Sequence, residues 1–322
     1  MNSLPRQRRG FHTPALLKEV IRGLNIRPDG KYIDATIGGG GHAAEIIRRG
    51  GKVLGIDWDQ DAIEYVNKNF KFQISNFKLK LVRGNFSNIA KIARARGFEN
   101  TDGVLFDLGV SSYQIDQSGR GFSFLRDEPL DMRMDPSTRS TGSGQASLTA
   151  YDIVNKATKD ELYNIFSKFG EEKNARTISD SIVRARQVKP IETSRELAEI
   201  VARVVKGTRN QAWGRPFDRT PGKHPATRVF QALRIVVNSE IDNLKMGVGG
   251  AFEILALNAR LAVISFHSLE DRAVKLFFAR LVRERRARLV NRKPIVASEE
   301  EIRMNRRARS AKLRIIEKIA NS

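Results

Sequence analysis

The chain has 322 residues, 40% of them hydrophobic, with no cysteine and a formal net charge of +21. That is enough apolar material for one large α/β domain or a domain plus an insert, so a globally disordered chain is excluded. Disulfides and thiolate metal sites are excluded as well, and the four scattered histidines His12, His42, His224 and His267 have no metal-ligand spacing, so no metal is expected. In chain order, Met1–Gly10 is basic without an apolar core, unlike a secretory signal. Its Arg6, Arg8 and Arg9 read as a phosphate-touching arm or, less simply, a short organellar presequence. Thr13–Leu24 has helical spacing, with Thr13 as N-cap and Pro14 in the first turn. Lys31–Ile37 reads as a strand running into Gly38-Gly39-Gly40-Gly41, His42–Arg49 as a helix, and Lys52–Ile56 as a second strand ending on Asp57. Asp59–Phe70 is helical, Leu79–Val82 a third strand, Ser87–Arg96 a helix, and Val104–Phe106 a fourth strand ending on Asp107.

This alternation predicts parallel crossovers, and it stops after the fourth strand. The next comparable buried strand is Leu261–Phe266, about 150 residues on, where a crossover needs only a dozen or two. Between them lie a loop-like Ser137–Ala146, helical periods over Thr149–Lys206, and a basic Gly/Pro/Arg-rich return loop, Lys206–Lys223. Ala226–Leu244 reads as one long amphipathic helix rejoining the core, and Lys312–Ile319 as a final edge strand. The expected architecture is therefore an α/β, Rossmann-like sheet with helices on both faces and a helical subdomain inserted between strands four and five. The expected boundaries are 1–112 for the first part of the core, 113–221 for the insert and 222–322 for the second part with its basic tail. No apolar run approaches the ~20 residues that span a bilayer, so no membrane partner is expected.

A glycine run at a strand end, with an acid closing the next strand, is a nucleotide-type pocket. The spacing Asp34-x-Thr-x-Gly-Gly-Gly-Gly-His42 departs from the Gly-x-Gly-x-x-Gly of dinucleotide folds. S-adenosylmethionine has no phosphate, and an acid near the turn suits its ammonium and sulfonium charges. The residues alone also permit a tight structural turn or a nicotinamide dehydrogenase, the latter disfavoured by spacing and charge.

Asp34–His42 resembles the cofactor motif of the bacterial cytosine-N4 methyltransferases of small-subunit (16S) ribosomal RNA. His12–Val20, Asp107–Gln114, Arg120–Phe124, Pro129–Asp135, His224–Ile235, Ile264–Arg272 and Arg309–Arg314 are similar to further blocks of that family, in family order over nearly the whole chain. The resemblance implies that the sheet is that of a class I methyltransferase, with S-adenosylmethionine as cofactor and a cytidine N4 amino group as acceptor. The implied substrate is the assembled small ribosomal subunit, and the implied location the cytoplasm. Residue by residue, it implies that Gly40, Gly41 and His42 wrap the methionine part, Asp57 takes the ribose, Phe86 lies beside the adenine, and Asp107 and Gln114 make polar contacts at the fourth strand end. The alternative reading of Phe86 is core packing, and of Gln114 a loop residue making local bonds. Two departures from the family are Leu257-Asn258-Ala259-Arg260, where Pro-Gly-Gly is usual, and Arg306 in Asn305-Arg306-Arg307, where proline is usual.

No general base is assigned. Asp107 is a candidate, although Asp107-Leu-Gly-Val lacks the prolines and aromatic common after this strand in amino-methyltransferases. His267 and Asp271 are weaker candidates, since Ser268–Asp271 also reads as a helix cap. Phe122 and Phe124 are either base-stacking residues or anchors of the insert. Arg133, between Asp131 and Asp135, reads as an internal ion pair. The tail from Lys275 carries 15 Lys or Arg against 5 Asp or Glu, and the 206–223 loop and the 283–314 tail read as phosphate contacts, with a solvated helix face as the plainer alternative for Arg283–Arg288. Alternatives at the level of function are a methyltransferase on another RNA or on DNA, and a non-enzymatic ribosome-assembly factor that retains the cofactor fold.

Overall fold

The structure is a computed structural model that describes residues 14–110, 114–115, 118–135, 148–207 and 224–320. The expected basic arm, the Thr13 cap, the Ser137–Ala146 loop and nearly all of the return loop lie outside these residues. Two compact units are present, one formed by 1–111 with 241–322 and the other by 112–240.

The first unit is an open sheet in the order β3-β2-β1-β4-β5-β8-β6. Its parallel strands are β1 (Lys31–Asp34), β2 (Lys52–Asp57), β3 (Leu79–Arg83), β4 (Thr101–Asp107) and β5 (Leu255–Ser265). Period-two alternation divides the strand side chains between two cores. Ile33, Leu54, Ile56, Val104, Phe106, Leu261 and Val263 face one, where helices α5 (Ile89–Arg96), α11 (Glu240–Ile254) and α12 (Ser268–Arg283) contribute Ile89, Val248 and Phe278. Tyr32, Val53, Leu105, Ala262 and Ile264 face the other, covered by α1 (Leu17–Leu24), α2 (Gly41–Arg48) and α3 (Gln60–Asn69) through Val20, Ile46 and Val66. A short α4 (Lys71–Ser75) follows α3.

Strand β8 (Lys312–Lys318) corrects the expectation of a final edge. It lies antiparallel between β5 on one side and β6 (Ala287–Leu289) and β7 (Ile295–Val296) on the other. Leu313, Ile315 and Ile316 are buried as a result. The two covering strands are three and two residues long and set in charged sequence, too short for a periodic signal.

The second unit packs α6 (Ala150–Lys156), α7 (Lys159–Gly170), α8 (Ala175–Val188), α9 (Ser194–Gly207) and α10 (Thr227–Val237) around Leu162, Phe166, Ile178, Ile182, Leu197 and Leu233. Capping boxes start two of them, Thr149 with Asp152 and Thr158 with Glu161. The single long helix expected over Ala226–Leu244 is two helices. Asn238 ends α10, with its Nδ2 donating to Arg234 O and Met132 O, and Ser239 turns the chain at φ 49° before α11. Phe124 stacks on His224 at 4.3 Å and meets Phe230 edge-on at 5.3 Å, and Phe122 also packs on this core, so both rings serve as anchors of the unit. Arg133 pairs with Asp131 through Nε at 2.6 Å and Nη2 at 2.8 Å, as its neighbours predicted. Among the described residues, no helix is long and apolar enough to cross a membrane.

Candidate cofactor site

Strands β1, β2 and β4 all end on aspartates: Asp34, Asp57 and Asp107. Parallel register places these ends together beside the turn that leaves β1. Within the turn, Gly38 and Gly40 have φ of 47° and 77°, a region costly for other L-residues. A Cβ on Gly40 would also lie 2.9 Å from the Phe70 ring, whereas one on Gly38 would meet nothing nearer than Thr36 O at 3.9 Å, so the turn is open above Gly38. Gly41 begins α2.

The acids hold the turn in shape. Asp57 accepts from Gly38 N and from Asp59 N, both at 2.9 Å. Asp34 accepts from Thr36 N at 3.3 Å, and Thr36 Oγ1 accepts from Asp107 N at 2.7 Å. Burial pushes the Asp34 carboxyl up to about 7, with the Asp57 charge adding to the shift against the Thr36 hydrogen bond. Asp57 is raised to about 6 by burial, opposed by its backbone donors. Asp107 is raised to about 8, first by burial and then by the Asp34 charge, with the Arg307 charge opposing.

His42 is 4% exposed and its Nε2 lies 3.1 Å from Ala15 O. A carbonyl only accepts, so Nε2 carries the proton. Burial lowers the His42 pKa to about 4, and its neutral ring turns Nδ1 towards Asp107. Asp107 Oδ1 is buried without a hydrogen-bond partner. An unpaired buried carboxylate oxygen is costly in a folded protein and marks a place where a donor belongs.

Other predicted positions fall as follows. Phe86 opens a short 3₁₀ turn after β3, meets Phe106 edge-on at 5.5 Å and rests on Gly247, where a Cβ would lie 2.7 Å from its ring. Gln114 lies in the second unit, buried, with its carbonyl accepting from Ser118 Oγ at 2.6 Å. His267 is the N-cap of α12 in a capping box with Glu270, and the Glu270 carboxylate accepts from Phe266 N at 2.8 Å. Asp271 binds Arg314 Nε at 2.7 Å and lies 3.5 Å from Lys312 Nζ. Burial pushes Asp271 up, but these cations outweigh it and hold the carboxyl below its ordinary range, an environment poor for a general base. Sequence reading missed the parts played by Thr36, by the Ala15 carbonyl and by Arg307.

The residues fit S-adenosylmethionine. The turn is open above Gly38, a carboxylate stands at the second strand end for ribose hydroxyls, and buried acids there raise one another's pKa, a repulsion that a positive charge would relieve. The sheet order and this turn define a class I S-adenosylmethionine-dependent methyltransferase. The chain belongs to the MraW methylase family, whose profile matches residues 9–319. It is 44% identical to the ribosomal RNA small subunit methyltransferase H of Carboxydothermus hydrogenoformans over 96% of this chain and 98% of that one. Proteins of the same name from Ruminiclostridium cellulolyticum and Lactiplantibacillus plantarum are each 41% identical, over 96% of this chain and 99% and 97% of theirs.

Proposed function

We propose that the chain transfers a methyl group from S-adenosylmethionine to the N4 amino group of a cytidine in small-subunit ribosomal RNA, acting on the assembled subunit in the cytoplasm. The observation that carries this reading is the unpaired Asp107 Oδ1 at the end of β4, beside the glycine turn. The bound cofactor would supply a methyl group on a sulfonium, from which a neutral thioether departs as a good leaving group. Gly40, Gly41 and His42 would hold its methionine part, Asp57 its ribose, and Phe86 a face of its adenine.

The cytidine amine is a weak nucleophile because its lone pair is delocalised into the ring. A hydrogen bond from the amine to Asp107 Oδ1 localises that pair. It also aims the nitrogen, and alignment supplies much of the rate when the leaving group is good. The proton that the amine gives up has an acceptor in the same carboxylate, whose raised pKa suits it to holding one. The net charge of +21 favours a polyanionic substrate. Exposed arginines of the tail, among them Arg283, Arg303, Arg306 and Arg309, are the proposed phosphate contacts. Mass spectrometry of small-subunit RNA from a strain lacking the gene tests the reading. Loss of N4-methylcytidine supports it, and an unchanged level overturns it.

A further inference from the structure

The segment after β7 folds as a short helix α13 (Glu299–Met304) and a 3₁₀ turn (Arg306–Ser310). Its sequence reads as part of a phosphate-binding tail, yet two of its charged residues turn inward. Glu301 Oε1 accepts from Leu16 N at 2.7 Å. The carbonyl of that same peptide unit, Ala15 O, receives His42 Nε2. One peptide therefore joins the tail carboxylate to the histidine of the cofactor turn, with Leu16 held at φ 54°. At the other end, the Arg307 guanidinium donates to Val110 O, three residues beyond Asp107. Asn305 accepts from Arg307 N at 3.3 Å and caps the turn. Ala308 and Ala311 are buried in the same core as Leu16, Ile37 and Ala43, which anchors the segment.

These contacts run from Glu301 through the Ala15–Leu16 peptide to His42, whose Nδ1 faces Asp107 Oδ2 at 3.7 Å, and from Asp107 along the chain to Val110 and back to Arg307. We infer that Glu301 and Arg307 are positioning residues: the segment 298–310 clamps the two walls of the cofactor pocket, the His42 side and the Asp107 side, in fixed register. The inference rests on the reading that this pocket binds S-adenosylmethionine. The groups that act on the Asp107 carboxyl are Asp34, Glu270, His42 and Arg307, of which Arg307 is the permanent cation. The clamp thus also tunes the proton held at the strand end.

Calorimetry with S-adenosylhomocysteine on the full chain, from pH 6 to 9, tests the inference. Losing a hydrogen bond to a charged group costs about tenfold in the equilibrium it supports, so Arg307→Gln weakens binding about tenfold. It also moves the pH midpoint of binding upward, because Asp107 loses its cation. Arg307→Lys restores the midpoint. Glu301→Ala weakens binding and leaves the midpoint in place. A readout independent of ligand is amide exchange at Leu16, which accelerates at least tenfold in Glu301→Ala. Arg307→Gln with unchanged affinity and unchanged pH midpoint overturns the clamp, as does unchanged Leu16 exchange in Glu301→Ala. Failure of the unmodified chain to bind the ligand overturns the cofactor reading itself, and the clamp's role with it.

Discussion

His42 Nδ1 lies 3.7 Å from Asp107 Oδ2, with both side chains at most 10% exposed. This is not an ion pair at neutral pH. His42 donates through Nε2 and its pKa has fallen to about 4, while that of Asp107 has risen to about 8, so both are uncharged. At neutral pH the pocket holds a proton on Asp107 and, in part, another on Asp34. A cationic ligand reverses the balance, because a positive charge nearby favours the carboxylates.

Cofactor binding is therefore expected to release protons near pH 7. Calorimetric titrations in two buffers of different ionisation enthalpy measure the number directly. A release of between about 0.5 and 1.4 protons per site is expected at pH 7, the upper limit being what Asp34 and Asp107 together hold there. Equal heats in both buffers would contradict the electrostatic account of the pocket.

The same groups set how stability depends on pH. Unfolded, Asp34 and Asp107 lose their protons near 3.8; folded, they keep them to about 7 and 8. The native state binds more protons across that window, so their contribution to ligand-free stability falls as pH rises through it. Thermal unfolding at a series of pH values should show a steeper decline between pH 5 and 8 for the wild type than for Asp107→Asn. Parallel curves would remove Asp107 as the cause.

Asp107→Asn keeps the shape of the side chain and loses its ability to take a proton. Methyl transfer should drop about 10²-fold or more, the usual scale for a general base, with a smaller effect on cofactor affinity. An activity within threefold of wild type in single-turnover assays would show that another group, or solvent, receives the proton.

Gly40→Ala forces a side chain into a left-handed backbone position and against Phe70. A loss of about 1–3 kcal/mol in chemical denaturation is expected from the backbone cost and the contact together. Cofactor binding should weaken as well, since the turn must shift. Gly249→Ala provides the comparison: it lies in α11, where a Cβ meets nothing within 4 Å, and should be neutral to stabilising.

The first four strands and the glycine turn were legible in the sequence because their signals are local: short apolar strands alternating with helical segments, acids closing the second and fourth strands, and glycines just after β1. The features missed are made by residues far apart. Leu16 and Glu301 are separated by 285 positions, and no pattern in either segment announces the bond. Placing β8 inside the sheet depends on partners only two and three residues long. The break between α10 and α11 comes from Asn238 binding Met132 O, 106 positions away, within a stretch that is helical by periodicity alone. Charge was the least informative signal at residue level. Arg303, Arg306, Arg307 and Arg309 look alike in sequence, yet Arg307 turns inward to Val110 while the other three are exposed.

The most direct measurement is transfer in vitro. Purified chain is mixed with methyl-labelled S-adenosylmethionine and small ribosomal subunits from a strain lacking the gene. The RNA is then digested to nucleosides and resolved by mass spectrometry. Label in N4-methylcytidine, absent when Asp107→Asn replaces the wild type, is the predicted result. Label in any other nucleoside, or none in small-subunit RNA, would contradict the account.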